Sequence, residues 1–178
     1  IMPSLVGSEM CIRDSSGLMA VAKHPHAQEV LKGQLHTPAF RRVYLAVCDG
    51  GPQPPSGVVD APLGPREGSL VEQMVRPDGK DARTRYETLS RSGGRSLVRL
   101  ELDTGRTHQI RVHMAHIGHP ILGDTVYGAK KPVPGLQGQC LHAVGLRFLH
   151  PRTGELVELW CDLPEAFQTQ LRKLENRG

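Results

Sequence analysis

The sequence predicts an α+β domain: a mainly antiparallel, mixed sheet with flanking helices. Three observations carry that expectation. Short segments with a two-residue apolar period recur along the chain, only three stretches show a helical period, and the two kinds do not alternate in the regular order that a parallel sheet requires. A chain of 178 residues fits one domain and is long enough to bury a core.

The elements follow in order. Residues 1–14, IMPSLVGSEMCIRD, have no clean period and no turn chemistry, and are expected to be a foreign-looking leader that packs poorly. Ser15-Ser16-Gly17 reads as a turn and residues 18–23 as a short buried strand. Residues 26–35 read as a helix with Val30, Leu31 and Leu35 on its apolar stripe. Residues 40–47 form a strand in which Val43, Leu45 and Val47 alternate with Arg42, Tyr44 and Ala46, so Tyr44 faces away from the valines. A Gly/Pro loop, GGPQPPS at 50–56, precedes short strands at 57–61, 70–75 and 82–90. A firmer strand spans 97–102, with Val98, Leu100 and Leu102 on one face. Asp103-Thr104-Gly105 turns the chain. Thr107 then serves as N-cap of a helix to about Ile117, whose buried face is Ile110, Met114 and Ile117. Gly118 and Pro120 stop it. Turns at Gly123-Asp124 and Gly128 and a basic loop at 130–138 lead to two late strands, 140–149 and 155–161. Pro164 opens a last helix carrying Phe167, Leu171 and Leu174.

Composition narrows the function. A net charge of +4 permits a nucleic-acid partner without demanding one. Four cysteines, Cys11, Cys48, Cys140 and Cys161, are scattered with no C-x-x-C. This argues against a zinc ribbon or a disulfide scaffold and fits a reducing, cytoplasmic compartment. The longest uncharged apolar stretches are far too short to cross a bilayer, so no membrane role is expected. Aromatics are only 4% of the chain, which weakens any broad stacking platform.

The densest chemistry lies in DTGRTHQIRVHMAHIGHPILGDTVYG, residues 103–128. A strand ends in a glycine turn and enters a helix whose first turns carry Arg106, His108, Gln109 and Arg111, a set of donors and cations suited to an anionic partner. Arg111 adjoins the apolar stripe, so it is expected at the edge of the buried face. Its planar fork there matches a carboxylate or a phosphate, and a plain structural tie is the competing reading. His108, His113, His116 and His119 invite a metal reading, but no H-E-x-x-H or paired carboxylate accompanies them, so no metal is expected. Tyr44, mid-strand in FRRVYLAV beside Arg41 and Arg42, either stacks on a base or is a core tyrosine whose hydroxyl reaches water.

Four blocks together resemble the RluA-type pseudouridine synthases: SSGLMAVAK at 15–23, the Tyr44 strand, TGRTHQIRVH…GHPILGD…YG, and LHAVGLRFLHPRTGELVELWCDLPEAF. The resemblance runs from about Arg13 to Phe167, in the family's order. It implies the pseudouridine synthase catalytic fold and isomerisation of uridine to pseudouridine in structured ribosomal or transfer RNA, without a cofactor, by a monomer. The target uridine leaves its stack for a pocket. An aspartate acts as nucleophile, the residue matching Tyr44 packs on the base, and the arginine matching Arg111 pairs with that aspartate and keeps it ionised. Arg41, Arg42, Arg106, His108, Gln109, Lys130 and Lys131 are the implied RNA contacts.

One departure matters. The family's first motif, H-R-L-D-x-x-[ST]-S-G, aligned on Ser15-Ser16-Gly17, puts Glu9, Met10, Cys11 and Ile12 where H-R-L-D belongs. Asp14 lies two residues away, roughly 7 Å in extended chain, too far to replace the nucleophile. MPSLVGSEMCIRDS also resembles a translated sequencing adapter. The expectation is a catalytic domain over 15–178 whose N-terminal part was lost, inactive as written; an inactive RNA-binding fragment is the alternative.

Overall fold

The computed structural model describes residues 4–5, 15–69 and 71–176, the first two by backbone alone. Its strands are β1 (Ser4–Leu5), β2 (Ser16–Gly17), β3 (Val21–Ala22), β4 (Arg41–Asp49), β5 (Ser56–Asp60), β6 (Leu63–Pro65), β7 (Gln73–Val75), β8 (Arg83–Ser92), β9 (Arg95–Leu102), β10 (Leu141–Leu149) and β11 (Leu156–Trp160). Its helices are α1 (Pro25–Gln34), α2 (Gln109–His116) and α3 (Glu165–Glu175).

The main sheet runs β11-β10-β4-β9-β8-β5, all antiparallel, and β2 joins β10 as the one parallel pair in it. The α+β expectation therefore holds. β2 and β11 share the same edge of β10: β2 pairs with His142 and Ala143, β11 with residues 145–149. Two small ladders, β1 with β3 and β6 with β7, lie outside the sheet. Beyond Ser4–Leu5 the leader falls outside the described residues, and so do Ile12 and Asp14.

Register explains why one strand serves two faces. Directly opposed residues share a face. Tyr44 pairs with Leu100 and Ala143, and Leu100 pairs with Tyr86. Leu45 pairs with His142 and Arg99 on the other face. α2 covers the Tyr44 face, because Gln109 reaches Thr84, which pairs with Leu102. α3 covers the Leu45 face, where the Phe167 ring meets His142. The core between these layers joins Ala46, Val98, Leu100, Ile110, Met114, Leu141 and Phe167.

Local differences from the sequence expectations have local causes. Ser16–Gly17 is a strand rather than part of a turn, because Gly17, at φ +105, brings its Cα against the Ala143 backbone. Of residues 18–23 only Val21–Ala22 is strand, and the strand expected at 70–75 is ordered as Gln73–Val75. Thr107 is not the N-cap of α2. His108 holds that position in the left-handed region, φ 55, and leaves Thr107 outside the helix.

Candidate active site

Two adjoining cavities open beside Tyr44. One, about 320 Å³, is lined by Ser16, Leu18, Leu35, Phe40 and Leu146. The other, about 90 Å³, is lined by Leu102, Arg106, His108, Gln109, Arg111 and Leu141. Tyr44, Arg42, Gly105 and Ser15 line both. The fold thus gathers Tyr44 from the mid-sheet, Arg42 from two residues earlier on the same face, and Arg111 from α2. Arg42 stands at the junction. Its Nη2 donates to the Thr104 carbonyl at 3.1 Å, its Nε is buried without a partner, and its guanidinium sits 5.7 Å from the Phe40 ring centre. Gly105 leaves room for it: a Cβ there would lie 2.7 Å from the guanidinium and push it aside.

Arg111 is buried rather than at the edge of the buried face, with 4% of its surface exposed. Its Nε and Nη2 donate to the two carboxylate oxygens of Asp124 at 2.8 and 2.9 Å. Burial alone would raise the Asp124 pKa. The Arg111 fork and the Val126 and Tyr127 backbone N–H groups outweigh it and hold the carboxyl below its ordinary value. Asp124 is sealed from solvent by this arrangement, so it is a holder of Arg111 and not a nucleophile. The Tyr127 ring covers the same guanidinium, 4.9 Å from ring centre to charge.

Tyr127 also reaches the pocket wall. The Gln73 backbone N–H donates to the Tyr127 hydroxyl at 2.8 Å, and that hydroxyl lies 2.7 Å from His108 Nδ1. Burial pushes the phenol pKa up and keeps the hydroxyl protonated. A left-handed backbone at a residue with a Cβ costs about 1 kcal/mol, and this hydrogen bond helps hold it.

Several residues expected at the site lie elsewhere or do other work. Gln109 is buried and saturated: its amide donates to the Arg83 carbonyl and Thr84 Oγ1, and its oxygen accepts from Thr104 Oγ1 and the Arg106 N–H. It braces the turn, with its donors and its oxygen all engaged within the protein. Arg106 lines the smaller cavity but spends its Nε on the Asp81 carbonyl. Arg41, Lys130 and Lys131 are exposed and line neither cavity. Of the histidines, His113 donates from Nε2 to the Ala61 carbonyl at 2.9 Å and accepts from Thr84 at Nδ1, so both ring nitrogens are occupied. Burial lowers its pKa and keeps it neutral. Sequence reading passed over Asp124, Tyr127 and Thr84. The signal for the first two was present in the G-D-x-x-Y-G run, where a carboxylate and a phenol follow the arginine helix.

Comparison with known proteins identifies the family. The sequence model described as RNA pseudouridylate synthase matches residues 13–116. An uncharacterized RNA pseudouridine synthase of Chloroflexus aurantiacus is 43% identical over 166 residues, covering 93% of this chain and 52% of its own length. Ribosomal large subunit pseudouridine synthase D of Haemophilus influenzae is 40% identical over 175 residues, covering 92% and 54%. The solved structure of human RNA pseudouridylate synthase domain containing 4 aligns with a TM-score of 0.69 at 26% identity, covering 88% of this chain and 70% of that one. The chain belongs to the RNA pseudouridylate synthase family, of the RluA type. It spans about half the length of the curated relatives it matches.

Proposed function

We propose that this chain carries the uridine-binding part of a synthase that isomerises uridine to pseudouridine in ribosomal RNA. The observation that carries the reading is the lining of the two adjoining cavities: an aromatic ring at Tyr44 and a guanidinium at Arg42 shared by both, and a buried ion-paired cation at Arg111 in the wall of the smaller one. A flipped uridine needs these three things: a face on which to stack, a fixed cation beside the reacting carboxylate, and a donor for its phosphate or ribose. Tyr44 packs on the uracil. Arg111, immobilised by Asp124, holds a nucleophilic carboxylate ionised and aimed. In the synthase the carboxylate attacks C1′ or the uracil ring, the N1–C1′ bond breaks, the uracil turns, C5 bonds to C1′ as the carboxylate is released, and the C5 proton is lost while N1 takes one up. The choice of ribosomal RNA follows the name of the Haemophilus influenzae relative.

The second part of the proposal concerns position 12. The family match begins at Arg13, and the residue before it is Ile12. An alkyl side chain has no lone pair with which to attack C1′ or the uracil ring. The chain as written binds RNA and does not turn it over. Release of tritium from ribosomal RNA labelled at uridine C5 tests both parts. The unaltered chain is expected to release none while still binding the RNA. The replacements Glu9→His, Met10→Arg, Cys11→Leu and Ile12→Asp together are expected to start release. Turnover by the unaltered chain overturns the missing-nucleophile reading, and silence after the replacement overturns the synthase reading.

A further inference from the structure

We infer that the sheet face opposite the cavities carries a second RNA site, in which one unpaired base stacks on Trp160 and its neighbouring phosphates sit between Arg41 and Arg147. The inference rests on the RNA reading above. It places a flanking, single-stranded stretch of the substrate on a surface that the uridine pocket does not use.

The indole is the first observation. Trp160 is the only tryptophan of the chain and is 60% exposed. It lies across Gly145, its partner on the next strand: a Cβ at Gly145 would meet three atoms of the six-membered ring at 2.6–3.0 Å. One ring face is therefore seated on backbone and the other faces water. Its Nε1 donates to Glu158 at 3.2 Å, which fixes the ring in the sheet surface. A flat, pre-oriented indole is a base-stacking platform. With so few aromatics in the chain it serves one base, not a run.

The charges beside it are the second observation. Arg41 and Arg147 are directly opposed across β4 and β10. Like charges in that position repel, and neither guanidinium has an ion pair among the described residues. Arg147 Nε is also buried without a partner. An anion between the two relieves the repulsion and fills the orphaned donor. Glu158, opposite Arg147, is held by the Trp160 N–H instead.

Continuity with the pocket is the third. Arg41, Arg99, Arg147 and Trp160 line one groove, with Glu101 and Glu158. Arg41 and Glu101 pass into a larger groove, about 580 Å³, that adds Arg42, Arg83 and Arg85. Arg42 is also a wall of both nucleotide cavities. Six arginines against Glu101, Asp103 and Glu158 leave this path positive, which suits a polyanion better than a protein strand added to the β11 edge.

The single tryptophan makes the test direct. The unaltered chain is titrated with an RNA hairpin bearing an unpaired flank, following Trp160 emission and RNA anisotropy together. Expected are quenching of the emission, about tenfold weaker binding for Trp160→Ala, and near-native binding for Trp160→Phe. Arg41→Gln with Arg147→Gln is expected to lower the slope of log K against log salt by about two. RNA binding with unchanged emission and unchanged affinity of Trp160→Ala overturns this inference alone. The same outcome with Trp160-dependent self-association makes the patch a protein contact and also overturns it. Absence of any RNA binding at low salt overturns the RNA reading and this inference together.

Discussion

Arg111 and Asp124 form a two-pronged ion pair inside the protein, with both side chains almost fully out of water. Thirteen residues separate them, and the pair fastens α2 to the turn that follows it. Breaking a buried pair leaves one charge stranded, a loss of about 3–5 kcal/mol. Asp124→Ala is expected to lower the urea midpoint by that equivalent, and Arg111→Lys to lose the fork while keeping the charge. The pair also has a pH signature. The folded carboxyl titrates below its unfolded value of about 3.9, so its stabilisation is complete above that value and is lost as pH falls through the folded pKa. Acid unfolding followed in Asp124→Asn is expected to lack this component; an identical acid profile for both proteins contradicts it.

Tyr127 joins three elements through one hydroxyl, which accepts from the Gln73 N–H and shares a hydrogen bond with His108 Nδ1. Tyr127→Phe keeps the ring over Arg111 and removes only the bridge. The expected loss is about 1–2 kcal/mol, with faster hydrogen exchange at the Gln73 amide. Protection at Gln73 that is unchanged in the variant speaks against the bridge.

His113 and His142 are both held neutral by burial, and their pKa values are lowered. Below about pH 6.5 the unfolded chain binds protons that the folded chain refuses. Stability is therefore full above that pH and falls as pH drops toward the folded values. The urea midpoint is expected to be lower at pH 5.5 than at pH 7.5, and the imidazole carbon proton of His113 is expected to titrate at a lower pH than that of an exposed histidine. An equal midpoint at the two pH values rules this out.

Gly17 and Gly105 are both crowded, by different things. A Cβ at Gly17 lies 2.3 Å from the Ala143 carbonyl oxygen, at a φ of +105. Backbone cannot yield as a side chain does, so Gly17→Ala is expected to break the β2–β10 pairing and to cost about 3 kcal/mol or more. At Gly105 the obstacle is the end of the Arg42 side chain. Gly105→Ala is expected to leave the urea midpoint nearly intact, displace Arg42 from Thr104 and weaken RNA binding. The reverse ranking of the two variants in thermal unfolding contradicts this account.

Much of the fold was readable from local pattern. The alternation in 97–102, the apolar stripe of 26–35, and Pro164 followed by Phe167, Leu171 and Leu174 each carry their period within the element, and each appears as β9, α1 and α3. The motif at 103–128 likewise brought Arg111 and His108 to notice. Thr107 looked like a cap because capping residues are recognised by type. The cap failed because Gln109, folded back onto Arg106 and Thr104, takes up the turn's hydrogen bonds.

By itself the sequence determined the period of each element, the family, and the residue types available at the pocket, because these are local or are carried by motif order. Only the tertiary structure decided the rest. It chose Asp124 as the partner of Arg111, made Gln109 a brace of the turn before its helix, and left Arg41, Lys130 and Lys131 in water outside the two cavities. It also laid Trp160 over Gly145 beside two opposed arginines. The physical reason is common to all four. Which donor meets which acceptor, and which cation stays in water, depends on strand register and helix docking, and these are set by burial summed over the whole core.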